Sequence, residues 1–229
     1  EELEALEKAW DRARASGTPR TLMAGFNRRW APMVVELRKA LEHVRHPLMI
    51  GYRVNAGYLP RSHWTQDPAE GGRLIGEGCH FIDLAVHLAA SPVRLVTTRV
   101  LPDSNRYSRD NFVVSLDFEN GSIATITYLA NGHPRAGKEL LEVSGGGMTA
   151  RLEDFRSLQI DRLGRSIGIR SRWDQDKGHR GEWTALSKWI RGKGPEPLPF
   201  DELRRTMRVV FAAADSLTAG GIPIDPSAG

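Results

Sequence analysis

Apolar residues recur along the chain with two periods, and the switches between those periods mark the elements. Leu3, Leu6 and Trp10 stand at helical spacing, so residues 1–15 are predicted to form a helix ending near Ser16-Gly17. Thr21 to Gly25 is a short apolar run with the pattern of a buried strand. Ala31-Pro32 opens a second helix through about Glu42, with Val34, Leu37 and Leu41 on one face. Proline suits a first helical turn because the N–H it lacks has no partner there. Leu48 to Val54 reads as a strand, Asn55 to Glu70 as a polar, aromatic loop, and about Gly78 to Ala89 as a helix.

Alternation of period two governs the middle of the chain. Leu95 to Leu101 is a strand, and Phe112, Val114, Leu116 and Phe118 alternate in the next. Asn120-Gly121 predicts a type I′ hairpin, whose two central residues both need positive φ, and Ile123 to Leu129 returns. Leu140 to Ser144 and Met148 to Leu152 pair around Gly145-Gly146-Gly147, and Ser157 to Asp161 and Ile167 to Arg172 add two more strands. Residues 173–178 are polar and are expected to form a mobile loop. Two helices close the chain: about Arg180 to Arg191, carrying Trp183, Leu186 and Ile190, and about Asp201 to Ala219, carrying Leu203, Met207, Val210, Ala214 and Leu217. Consecutive hairpins with helices predict an α+β fold, a large, mainly antiparallel open sheet with helices on one face.

Composition narrows the function classes. With 229 residues and 40% hydrophobic content, the chain can bury a sizeable core in one large domain or two small ones. Lys plus Arg is 32 against 28 for Asp plus Glu, and the charges are mixed along the chain. No basic block with interleaved aromatics suggests a nucleic acid as partner. No segment approaches the roughly 20 apolar residues that span a bilayer, so no membrane partner is expected. Cys79 is the single cysteine; it excludes an intrachain disulfide and fits a cytoplasmic location. The N-terminus is acidic and helical, unlike a signal peptide, and opens inside a helix without an initiating methionine.

The candidate chemistry lies in Gly71-Gly72-Arg73-Leu74-Ile75-Gly76-Glu77-Gly78-Cys79-His80-Phe81-Ile82-Asp83-Leu84. A dinucleotide fingerprint needs Gly or Ala where Phe81 stands, and antiparallel hairpins come next in place of a βαβ unit. His80, Asp83 and His87 share roughly one helix face, but three ligands on one helix give poor tetrahedral geometry, and no metal is expected. Two readings remain. In one, the glycines and Glu77 cap a helix and His80 is a hydrogen-bonded structural residue. In the other, His80 serves acid–base chemistry on a polar substrate.

Three stretches resemble the glucose–fructose oxidoreductase / inositol dehydrogenase / MocA family. Met23-Ala24-Gly25-Phe26-Asn27-Arg28-Arg29-Trp30-Ala31-Pro32 looks like the last Rossmann strand and the turn after it. Gly71 to Leu84 looks like the family's Gly-Gly-x-x-x-Asp-x-Gly-x-His-x-x-Asp helix start, and Phe200-Asp201-Glu202-Leu203 to Ser216-Leu217 like its closing helix. The resemblance spans essentially the whole chain. It implies the last strand and helices of a truncated Rossmann domain over residues 1–30, then a substrate-binding and oligomerisation domain over residues 31–229.

The resemblance also implies roles. His80 is the catalytic acid/base or substrate ligand. Glu77 is the candidate for the family acid, because Gly76 stands where that acid is kept. Arg53, Asn55, His63, Trp64 and Asp83 are the substrate-side candidates, and Asn27 and Arg29 the cofactor-side ones. The expected activity is hydride transfer between NAD or NADP and a hydroxyl of a sugar, sugar derivative or polyol. The family's glycine-rich cofactor loop and Glu-Lys-Pro lysine would precede residue 1. The chain alone is therefore expected to bind no nicotinamide cofactor tightly and to be inactive. A homodimer or tetramer is expected through an apolar open face of the sheet. The alternative is a non-catalytic carbohydrate-binding or subunit-assembly domain.

Overall fold

The structure, a computed structural model, describes residues 2–17, 22–45, 47–67, 71–171 and 174–228. One sheet organises the molecule. Its strands are β1 (Met49–Asn55), β2 (Val93–Val100), β3 (Phe112–Phe118), β4 (Ile123–Leu129), β5 (Glu139–Gly145), β6 (Met148–Glu153), β7 (Ser157–Arg162) and β8 (Arg165–Arg170). Their spatial order is β2-β3-β4-β1-β5-β6-β7-β8. Every neighbouring pair is antiparallel except β1 and β4, which run parallel with Tyr52 opposite Ile126. The helices are α1 (Glu2–Ala15), α2 (Pro32–Leu41), α3 (Cys79–Ala89), α4 (His179–Ile190) and α5 (Phe200–Thr218). The α+β architecture follows the hydrophobic pattern closely.

The period-two alternation sends Ile50, Tyr52 and Val54 of β1 into the core with Val114 and Leu116 of β3, Ile126 and Tyr128 of β4, and Leu141 and Val143 of β5. Val34, Leu37 and Leu41 of α2, Leu84 and Leu88 of α3, and Val210 and Ala213 of α5 fill the same cluster. The opposite face has no helix over it among the described residues. It is mixed: Arg53, Thr97, Ser115, Thr125 and Thr127 stand among Leu95, Val113, Leu129 and Leu140, with Met49 57% and Ile123 39% exposed. The alternation that builds a buried face leaves the other to these mixed residues.

Two local expectations are corrected. Leu22 to Phe26 form no strand. Their backbone turns on itself, with Phe26 N–H donating to Ala24 and Asn27 N–H to Gly25, both at 2.8 Å. Their apolar side chains pack instead on a small cluster with Trp10, Phe200 and Leu203. Thr21 lies outside the described residues. The β3–β4 turn is not type I′, because among Asn120 and Gly121 only Gly121 has positive φ. Gly121 N–H bonds to Phe118 O, and the glycine makes the bulge of a three-residue loop. The type I′ pattern occurs instead at Gly146 and Gly147, with φ of 54° and 75°. In the segment before α4, Gln175 Nε2 donates to Asp154 O at 2.6 Å, and Gly178 N–H to Asp176 Oδ1 at 2.8 Å. Residue 173 lies outside the described residues.

Candidate functional site

The glycine-rich motif does not cap a helix from outside. Helical backbone begins at Gly72, and Leu74–Gly78 form a π turn that runs straight into α3. Only Gly71 and Gly72 of the motif have positive φ, at 77° and 66°, and they make the chain reversal. Gly76 and Gly78 lie inside the wide turn. A Cβ on Gly78 would stand 3.1 Å from Leu74 Cδ1, and one on Gly76 would stand 3.6 Å from the Trp64 and Thr65 side chains. The position where the family keeps an acid is therefore roofed by Trp64. Inserted π turns recur where a helix must present a side chain at a functional site.

His80 sits just after that turn, in the first turn of α3. Its ring meets Phe26 edge-on at 5.8 Å, and Nδ1 is buried with no hydrogen-bond partner among the described residues. Burial first, and then the neighbouring Arg28 guanidinium, push its pKa down to about 4. The imidazole is neutral at pH 7, and a neutral ring nitrogen can accept a hydroxyl proton. Glu77 is held elsewhere: it accepts from Tyr128 Oη at 2.7 Å and from Arg73 Nη2 at 3.4 Å. Burial and the Glu77 carboxylate raise the Tyr128 phenol well above its ordinary value. Arg73 also lies over the Tyr128 ring, 4.9 Å from its centroid.

Close to His80 lies a buried polar cluster that the hydrophobic pattern does not announce. Its centre is Glu139, at the first position of β5, with a side chain fully removed from solvent. Arg28 donates through Nε to Oε2 at 2.9 Å and through Nη2 to Oε1 at 3.1 Å. Lys177 Nζ donates to Oε1 at 2.6 Å, and Tyr52 Oη to Oε2. Burial alone would raise the Glu139 carboxyl, but the Arg28 and Lys177 charges prevail and hold it at about 2. The backbone around it is fixed too. Asp154 Oδ1 accepts from Lys138 N–H at 2.9 Å and Glu139 N–H at 2.6 Å, from a turn where Asp154 and Phe155 both have positive φ. A buried phenylalanine in that conformation is uncommon and marks a strained turn beside the cluster.

Glycine chemistry brings the start of α4 onto the same cluster. Gly178 has φ 93°, and a Cβ there would stand 2.1 Å from Asn27 O and 2.4 Å from Ala31 N. Asn27 Nδ2 donates to Lys177 O at 2.7 Å, with His179 Nε2 at 3.4 Å. Sequence reasoning missed Arg28, Tyr52, Glu139, Lys177 and His179. The one usable signal was Arg28 itself, between the two residues singled out at 27 and 29.

The predicted residues divide. Trp64, 60% exposed and stacked on His63 at 6.0 Å, covers Gly76 and so stands at the motif. His63 turns inward on its own loop, with Nδ1 2.8 Å from Thr65 Oγ1. Arg53 lies on the sheet face opposite Tyr52, where Nη2 donates to Ala136 O at 3.0 Å. Asn55 is buried; Nδ2 donates to His133 O at 2.9 Å, while Oδ1 has no partner among the described residues. Asp83 is fully buried, and both its oxygens accept from Arg29, which also donates to Glu202 at 2.6 Å. Asn27 and Arg29, the cofactor-side expectation, are buried and spend their polar groups on these internal contacts. Among the described residues no group of three or more His, Cys, Asp or Glu side chains is placed to hold a metal ion.

Residues 13–150 match the GFO/IDH/MocA C-terminal domain. The chain belongs to the GFO/IDH/MocA family. No curated protein matches the sequence. Among solved structures, the chain superposes on an oxidoreductase from Agrobacterium radiobacter in complex with NAD+, L-tartaric acid and magnesium, with TM-score 0.77, 18% identity, and coverage of 99% of this chain and 70% of that one. UDP-N-acetylglucosamine 3-dehydrogenase from Acidithiobacillus ferrooxidans gives TM-score 0.74 at 17% identity, covering 96% and 67%. Levoglucosan dehydrogenase in complex with NADH and levoglucosan gives 0.71 at 18%, covering 89% and 66%. At such identities these likenesses establish the shared fold, and this family chain spans about two thirds of each relative.

Proposed function

We propose that this chain is the substrate-side part of an NAD(P)-dependent oxidoreductase acting on a hydroxyl of a sugar, sugar derivative or polyol. Residues 1–30 are then the remnant of the cofactor-binding domain and residues 31–229 the substrate and assembly domain. The observation that carries the reading is His80: a neutral, partly exposed imidazole whose Nδ1 is turned inward, presented by the family motif at a π turn. The partly exposed His80 ring accepts the hydroxyl proton in oxidation and returns it in reduction. Trp64 offers its ring to the apolar face of a sugar beside it. Asp83, sealed by Arg29, positions α3 and does not touch substrate.

The nicotinamide, when bound, supplies the hydride acceptor. Asn27 and Arg29 do not fit a role in holding it, because the Arg29 guanidinium is divided between Asp83 and Glu202 and the Asn27 amide donates to Lys177 O. No step is assigned to them. Glu77 keeps its carboxylate on Tyr128 and Arg73, and in this reading it stiffens the turn that carries His80 without acting as the missing acid. The test is steady-state turnover of the protein in its cofactor-competent form. His80→Ala lowers kcat/KM by about 10²–10⁴-fold, whereas Glu77→Gln lowers it by less than about tenfold. Equal losses at both positions would move the acid–base role onto Glu77.

A further inference from the structure

A cavity of about 510 Å³ opens between α2, α3, α5, the start of β2 and the C-terminal segment. Its size lies within the range of small-molecule sites. The wall is predominantly apolar, with Val86 and Val209 among its lining, and it also includes Arg38, His87, Glu202 and Arg205. No carboxylate pairs with Arg38 or Arg205 among the described residues. Glu202 is already committed to Arg29 at 2.6 Å, and Asp225 in the same wall to Ser227. Glu119, at the β3–β4 turn, is the remaining carboxylate of the lining. His87 makes no hydrogen bond among the described residues and is neutral: burial, then Arg29 and Arg38, push it down to about 3. The cavity thus joins an apolar floor to two arginines that no carboxylate pairs among the described residues.

We propose that this cavity binds a small amphipathic anion, a carboxylate or phosphate monoester on a short apolar body. The apolar part lies against Val86 and Val209, and the anionic head is met by Arg38 and Arg205, whose planar forks suit either group. The site is separate from His80 but shares its helix. Asp83 of α3 is tied through Arg29 to Glu202 in the cavity wall, and His87 stands about two turns beyond His80. A ligand here therefore contacts the element that presents the functional histidine.

The test is isothermal calorimetry on the 229-residue chain with hexyl phosphate and hexanoate, and with inorganic phosphate and 1-hexanol as the two half-molecules. Saturable one-to-one binding of hexyl phosphate or hexanoate is expected, and whichever binds tighter identifies the head group. Each half-molecule binds at least about tenfold more weakly. Joint substitution Arg38→Ala/Arg205→Ala weakens binding by about 10–100-fold, with melting unchanged. His80→Ala leaves binding as it was, so failure of the His80 assignment is read separately. The proposal is overturned by no saturable heat from either amphiphile, by equal binding of 1-hexanol or inorganic phosphate, or by unchanged affinity in the double variant.

Discussion

At the residue scale, two kinds of position control the site: buried polar groups that must be answered, and glycines where nothing else fits. Glu139 is the clearest of the first kind. A fully buried carboxylate is tolerable only because Arg28, Lys177 and Tyr52 all donate to it. Gly178 is the clearest of the second. A side chain there faces both an unfavourable φ of 93° and backbone atoms of Asn27 and Ala31 within 2.4 Å. Gly178→Ala is expected to destabilise the fold by at least about 2 kcal/mol in urea unfolding with an unchanged m-value. A change below about 0.5 kcal/mol would contradict the packing described. Neither position was legible in the sequence. Glu139 reads as one more charged residue at a strand end, and its partners lie 38 to 111 residues away. His80 stood out in the sequence because it sits inside a motif, and the structure puts it in the first turn of α3.

At the element scale, periodicity carried most of the information. The strands from β1 to β8 and helices α2 to α5 fall close to where alternation and helical spacing put them, and β1 to β7 with α2, α3 and α5 each bury one apolar face. Failures came where apolar residues pack without that geometry. Leu22 to Ala24 are apolar because they cover Trp10 and Phe200, whose rings stack at 4.7 Å, and not because they pair in a sheet. The π turn escaped because period-based reading does not distinguish it from α-helix; Gly76 and Gly78 inside it lie close to Trp64, Thr65 and Leu74. The open sheet face bears on assembly. Its Met49, Val113, Ile123, Leu129 and Leu140, interleaved with threonines and Arg53, suit a contact with a second copy that is apolar and polar by turns. A homodimer is the expected state by sedimentation. Ile123→Asp, at the start of β4 on that face, is expected to weaken it by about 10–100-fold. A monomer at high micromolar concentration would contradict this assignment.

At the scale of the molecule, burial ties stability to pH. His80 and His87 have folded values near 4 and 3, below the ordinary 6.5, so the unfolded chain takes up protons that the native state refuses. Their contribution is fully present above pH 6.5 and is lost as pH falls toward 4. Glu139, held at about 2, adds stability above about pH 4.5 and loses it between there and pH 2. Thermal melts should therefore show a melting temperature falling steadily from pH 6.5 to 4. Substituting His80→Asn should flatten that slope; a flat wild-type profile from pH 6.5 to 5 would contradict it.

The same imidazole carries the functional claim, and nuclear magnetic resonance of ¹⁵N-labelled histidine rings tests it most directly. With myo-inositol, D-glucose and levoglucosan as probes, the His80 ring should remain neutral down to about pH 4. Its nitrogen signals should shift saturably with at least one of the three, while those of His43, just past the end of α2, stay fixed. A His80 ring that titrates near 6.5 and responds to none of them would contradict the account.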